Sequence, residues 1–131
     1  LVGEIGMWAA IAGHYGVPCV LVSGCRKACE EARSLVPEME TVVTKNALSR
    51  TAAVLEPVAK VRGAIREAAA AAVRGAGKTA PYRVSQPVEL RVEFNNTGQA
   101  DGVSITPGRE RLEARTIAYR ADSIIEAFRL L

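Results

Sequence analysis

At 131 residues, 49% of them hydrophobic and with a mean hydropathy of +0.10, the chain has enough apolar mass for an ordered fold with a buried core. Aromatics make up only 5% and the net charge of +3 is spread, Lys and Arg alternating with Glu, so neither a base-stacking surface nor a basic block for nucleic acid is present. No apolar run approaches the roughly 20 residues that span a bilayer, and no basic segment leading to a small-residue cleavage site opens the chain. Nucleic acid and membrane are therefore set aside as partners. The three cysteines, Cys19, Cys25 and Cys29, are odd in number and lack framework spacing, which points to a reducing, cytoplasmic setting. The chain opens on Leu1 instead of Met, and we expect it to be part of a longer one.

From Gly3 to Tyr15, the apolar residues Ile5, Met7, Trp8, Ile11, Ala12 and Tyr15 recur at three- and four-residue intervals and predict a largely buried helix, punctuated at its end by Gly13 and Gly16. Val17 to Val22 is a β-branched apolar run that reads as an interior strand buried on both faces, with Pro18 near its start. Cys25 to Leu35 predicts a helix with Ala28, Ala32 and Leu35 inward, and Val36-Pro37 ends it. Thr41 to Thr44 is a short strand, parallel to the previous one if the crossover takes the usual hand. Lys45 to Arg50 follows as a polar loop at that strand's carboxyl end, where open α/β sheets place ligands.

A long helix then runs from about Val54 or Pro57 to Val73, with Val58, Val61, Ile65, Ala68, Ala69 and Ala72 toward the sheet. Gly75 to Pro81 is the one candidate boundary, dividing an α/β portion, 1–75, from a smaller α+β portion, 76–131. Beyond it, Val88, Leu90, Val92 and Phe94 alternate with Glu89, Arg91 and Glu93, the period of a strand with one solvated face. Asn95 to Gly102 reads as turn. Val103 to Thr106, the Pro107-Gly108 turn and Arg115 to Tyr119 predict an antiparallel pairing, and Ala121 to Leu131 an amphipathic helix. The fold class is thus α/β, a three-layer, partly parallel sheet with flanking helices and a smaller antiparallel C-terminal portion.

Few residues can carry chemistry. Glu4, the only acid of the first helix, lies between Gly3 and Gly6 and suits either a metal-binding carboxylate or general base, or a helix-start acid complementing the dipole. His14 is the sole histidine, so a two-histidine zinc site or a Ser-His-Asp triad is not encoded here, and a C-terminal dipole partner is the plainer role. Cys25 follows a strand and opens a helix, as a reactive thiol would, yet Cys29 sits one turn later and no activating base is in view. Lys45 and Arg50 could bind a substrate carboxylate or stand as solvated loop cations.

Gly3-Glu4-Ile5-Gly6, Ala9 to Gly13, Gly16-Val17-Pro18 and Leu21-Val22-Ser23-Gly24, with Thr44 to Arg50, Val88 to Phe94, Pro107 to Leu112 and Arg115-Thr116-Ile117 further on, together resemble the second half of the zinc-dependent D-aminopeptidase family. The resemblance covers essentially the whole chain. It implies an amino-terminal exopeptidase acting on short peptides of D-residues, a two-zinc site with Glu4 as one ligand, and a ring-shaped homo-oligomer. The family's other ligands, an Asp-rich segment and further histidines, belong to a preceding half and have no match here. Cys25 stands where the family has Asp after Val-Ser-Gly; losing an acidic cap costs a helix about 1 kcal/mol. The expectation is the C-terminal half of a D-stereospecific aminopeptidase, inactive alone. The alternative is a non-catalytic α/β assembly or binding module on the same scaffold, and a cysteine hydrolase built on Cys25 ranks last.

Overall fold

The computed structural model describes residues 2–131, which form two compact units, the first running to Arg83 and the second from Val84 to Leu131. Among the described residues the chain builds two three-stranded sheets, one in each unit.

In the first unit, α1 (Glu4–His14) leads to β1 (Leu21–Cys25), α2 (Arg26–Leu35), β2 (Glu40–Ala47), β3 (Ala53–Leu55) and α3 (Val58–Gly75), with a short 3-10 turn at Ala76–Lys78. β1 and β2 pair in parallel around α2, and β3 returns antiparallel to β2. This is the βαβ unit that the sequence predicts. α2 and α3 both pack on β1 and β2, while α1 packs on α2. The core joins Ala32, Val36 and Met39 with Ile5, Cys19, Val22, Leu35 and Tyr82 at its margin. Tyr82 thereby draws the segment after Gly75 into the first unit.

In the first unit, expectations are corrected at three places. The strand expected over 17–22 starts at Leu21 and runs to Cys25, because Gly16 turns out of α1 at φ +75° and Pro18 brings no N–H for a ladder. β1 is also an edge strand of its sheet, with Ser23 exposed, and not an interior one. Second, Lys45, Asn46 and Ala47 prolong β2, because β3 gives their backbone a partner: Lys45 faces Leu55, Asn46 faces Val54 and Ala47 faces Ala53. Only the turn between the two strands is loop, and Val58 at the head of α3 is exposed, away from the sheet.

Third, α1 is not buried through its large residues. Gly6, Ala9, Ala10 and Gly13 are its buried positions, whereas Trp8 is 56% and Tyr15 67% exposed. A stripe of small side chains lets backbone approach backbone: a Cβ on Gly13 would lie 1.8 Å from the Tyr82 carbonyl oxygen. Gly13 is thus a packing residue. Gly16 ends the helix, with the Val17 N–H donating to the Ala12 carbonyl at 2.9 Å and the Gly16 N–H to Gly13 at 3.0 Å.

The second unit holds β4 (Val88–Glu93), α4 (Thr97–Asp101), β5 (Arg109–Glu113), β6 (Thr116–Ala121) and α5 (Ile124–Arg129). Its sheet is antiparallel in the order β4-β6-β5. The period of two in β4 holds: Val88, Leu90 and Val92 stand opposite Ala121, Tyr119 and Ile117, and α5 covers this unit with Ile124 and Ala127 buried. Between them, Glu89 takes Arg120 at 2.5 Å and Arg91 at 2.6 Å, and Arg120 also holds Glu110. The strand expected at 103–106 is instead a link held by Arg109, whose Nε donates to the Leu130 carbonyl at 2.8 Å and Nη1 to Ser104 at 3.2 Å. β5 begins after the Pro107-Gly108 turn, where Gly108 takes φ +87°.

Caps explain two short helices. Asn96 accepts the Gln99 N–H at 3.0 Å while the Gln99 side chain accepts the Asn95 N–H at 3.1 Å, so part of the expected turn over 95–102 closes into α4. Ser123 and Glu126 repeat the device for α5, at 3.3 Å and 3.2 Å.

Candidate functional site

Two places hold the residues singled out by sequence. At the head of α1, Gly3 is the N-cap and has no side chain to satisfy the helix's first amides. Glu4 occupies the first turn, where a carboxylate complements the helix dipole. Its side chain is exposed and makes no hydrogen bond or ion pair with other described residues. The amides beside it are held from another element. Glu31 of α2 accepts the Gly3 N–H at 2.7 Å and the Gly6 N–H at 3.2 Å through Oε1. Sequence reasoning missed Glu31. A helix whose cap position is glycine needs an acceptor from elsewhere, and that need was the available signal.

The second place is the carboxyl ends of β1 and β2. Cys25 and Lys45 stand opposite each other across the pair, after a register shift that leaves Thr44 extra, and the Thr44 hydroxyl donates to the Gly24 carbonyl at 3.1 Å. Arg26 Nε donates to Asn46 Oδ1 at 2.7 Å and ties the start of α2 to β2. Arg50 is in the turn between β2 and β3, which Leu48 and Ser49 close by donating to the Ala52 carbonyl at 2.9 and 3.1 Å. The structure thus brings Cys25 and Lys45 together, and no hydrogen bond or ion pair among the described residues joins either, or Arg50, to Glu4.

Cys25 is the N-cap of α2 but offers no side-chain cap bond. His14 ends α1, exposed, its ring edge-on to Tyr15 with centroids 5.0 Å apart. All three cysteines are free thiols. Burial pushes the Cys19 thiol up, and burial does the same to Cys29 against smaller opposing effects from the Gly24 backbone and Arg33. Folding therefore favours the protonated thiols. Their contribution is complete below the ordinary thiol range and is lost as pH rises through the higher folded values. Thermal melting between about pH 8 and about pH 10 should fall more steeply for the parent than for a variant with Cys19→Ala and Cys29→Ala.

Glu4 fits the part of one oxygen ligand for a metal ion, being an exposed carboxylate with no competing partner among the described residues. It cannot form a centre by itself: no group of three or more His, Cys, Asp or Glu side chains among the described residues is placed to hold a metal. Nor is any helix among them long and apolar enough to cross a membrane.

The D-aminopeptidase family model matches residues 1–131, and the chain belongs to that family. A D-aminopeptidase of Bacillus subtilis (strain 168) is 33% identical over 131 residues, which is 99% of this chain and 48% of that protein. A solved structure, described as the Zn-dependent D-aminopeptidase DppA from Bacillus subtilis, a self-compartmentalizing protease, superposes with a TM-score of 0.91 at 33% identity over 98% of this chain and 47% of that one. The chain spans about half the length of these relatives.

Proposed function

We propose that this chain is the C-terminal half of a zinc-dependent, D-stereospecific aminopeptidase that removes N-terminal D-amino acids from short peptides and works in the cytoplasm as a ring-shaped homo-oligomer. The observation that carries this is the exposed carboxylate of Glu4 at the head of α1, in a chain that matches the family from end to end. Glu4 would hold zinc together with ligands from outside this chain. Zinc so bound would polarise the scissile carbonyl and lower the pKa of a bound water. Lys45 and Arg50, both exposed, offer cations to a substrate carboxylate. The free thiols suit a reducing compartment.

The test uses the complete polypeptide that carries this chain. It is expected to release D-alanine from D-alanyl-D-alanine but not L-alanine from the L,L isomer, to stop on chelation and to recover with zinc. Glu4→Ala should lower kcat/KM by at least about a hundredfold, the loss of several kcal/mol of metal-centred stabilisation. Equal rates on both isomers, or full activity without the Glu4 carboxylate, would refute the assignment.

A further inference from the structure

We infer that Glu31 is a positioning residue for Glu4, holding the first turn of α1 in place from α2; the inference rests on the reading of Glu4 as a zinc ligand. The first amides of a helix have no partners within it, and an N-cap side chain usually supplies one. Gly3 cannot. Glu31, 25 to 28 residues away in sequence, supplies one oxygen to two of these amides, at 2.7 Å from Gly3 N and 3.2 Å from Gly6 N. The two bonded amides flank Glu4 on either side. Its backbone is therefore fixed relative to α2 while its carboxylate stays available.

The glycines of Gly3-Glu4-Ile5-Gly6 acquire a specific purpose. A Cβ on Gly3 would lie 2.7 Å from Glu31 Oε2 and 3.1 Å from Oε1, so any side chain there must displace the carboxylate. A Cβ on Gly6 would lie 2.8 Å from Val2 Cβ and 3.1 Å from Leu35 Cδ1, so its absence lets the helix head sit down on α2. The motif thus makes a seat for Glu31, and the seat sets where the Glu4 carboxylate is presented. Groups that orient a metal ligand commonly account for 10- to 100-fold in metal affinity.

The experiment measures the zinc dissociation constant of the complete polypeptide by chelator competition, well below the melting temperature, for the parent, Glu4→Ala, Glu31→Ala and Glu31→Gln. Amide hydrogen exchange at Gly6 is followed alongside. Glu31→Ala is expected to weaken zinc about 10- to 100-fold and to speed exchange at Gly6. Glu31→Gln keeps an acceptor oxygen without the charge and should fall between Glu31→Ala and the parent on both readouts. Zinc affinity within about twofold of the parent in Glu31→Ala, while Glu4→Ala loses zinc, overturns the positioning role and leaves the Glu4 reading standing. Unchanged zinc in Glu4→Ala removes the ligand itself, and the positioning role falls with it. Should Glu31→Ala not fold, Glu31→Gln decides: weaker zinc at an unchanged melting temperature supports the inference, and unchanged zinc overturns it.

Discussion

Gly13→Ala is expected to destabilise the first unit by about 3 kcal/mol, although the change puts a better helix former into a helix. The added Cβ would lie 1.8 Å from the Tyr82 carbonyl oxygen and 2.7 Å from its carbon, both backbone atoms that cannot rotate away. Either α1 or the chain at Tyr82 must move, and Tyr82 packs on the Ala32, Val36 and Met39 core. The strain is therefore passed into the centre of the unit. The same substitution at Gly63, inside α3, meets nothing within 4 Å and should stabilise by about 0.5–1 kcal/mol through helix propensity. Thermal melts of the two variants should shift in opposite directions, Gly13→Ala downward by more than about 10 °C. A Gly13→Ala protein that melts with the parent would show that α1 and residue 82 are not in close contact.

Tyr119→Ala should cost the second unit about 4 kcal/mol. Tyr119 is 1% exposed, in the central strand of its sheet, opposite Leu90 on one side and Arg109 on the other. With Ile117 and Cys29 it is among the largest fully buried side chains, so truncation leaves a cavity its neighbours cannot fill. Its hydroxyl makes no hydrogen bond with other described residues, and Tyr119→Phe should cost less than about 1 kcal/mol. Denaturant unfolding and exchange protection of the amides in β4, β6 and α5 check both. Equal losses for Phe and Ala would move the effect from the ring to the hydroxyl.

The alternation in Val88 to Phe94 was legible because a strand with one solvated face writes its period into the side chains, and the Glu89–Arg120 pairing then follows from register. The parallel β1-α2-β2 unit was legible for a similar reason, since a helical pattern between two β-branched runs admits few topologies. Boundaries were less so. β3 and the extension of β2 through Ala47 exist because each gives the other a hydrogen-bonding partner, and neither segment has a pattern that requires it. Likewise Trp8 and Tyr15 look like core residues by type, but the contact of α1 is made where backbones come closest, on its glycines and alanines.

By itself, then, the sequence determined the α/β character, the parallel crossover, the amphipathic strand β4 and the Gly-Glu-Ile-Gly segment with its single acid, because local period, turn chemistry and a family-specific string of residues are all written along the chain. Tertiary structure alone decided which face of α1 is buried, where β2 ends, and that Glu31 takes up the amides on either side of Glu4. Those depend on distances between segments, from the Ala47–Ala53 pair 6 residues apart to the Gly13–Tyr82 contact 69 residues apart, and no local pattern encodes them.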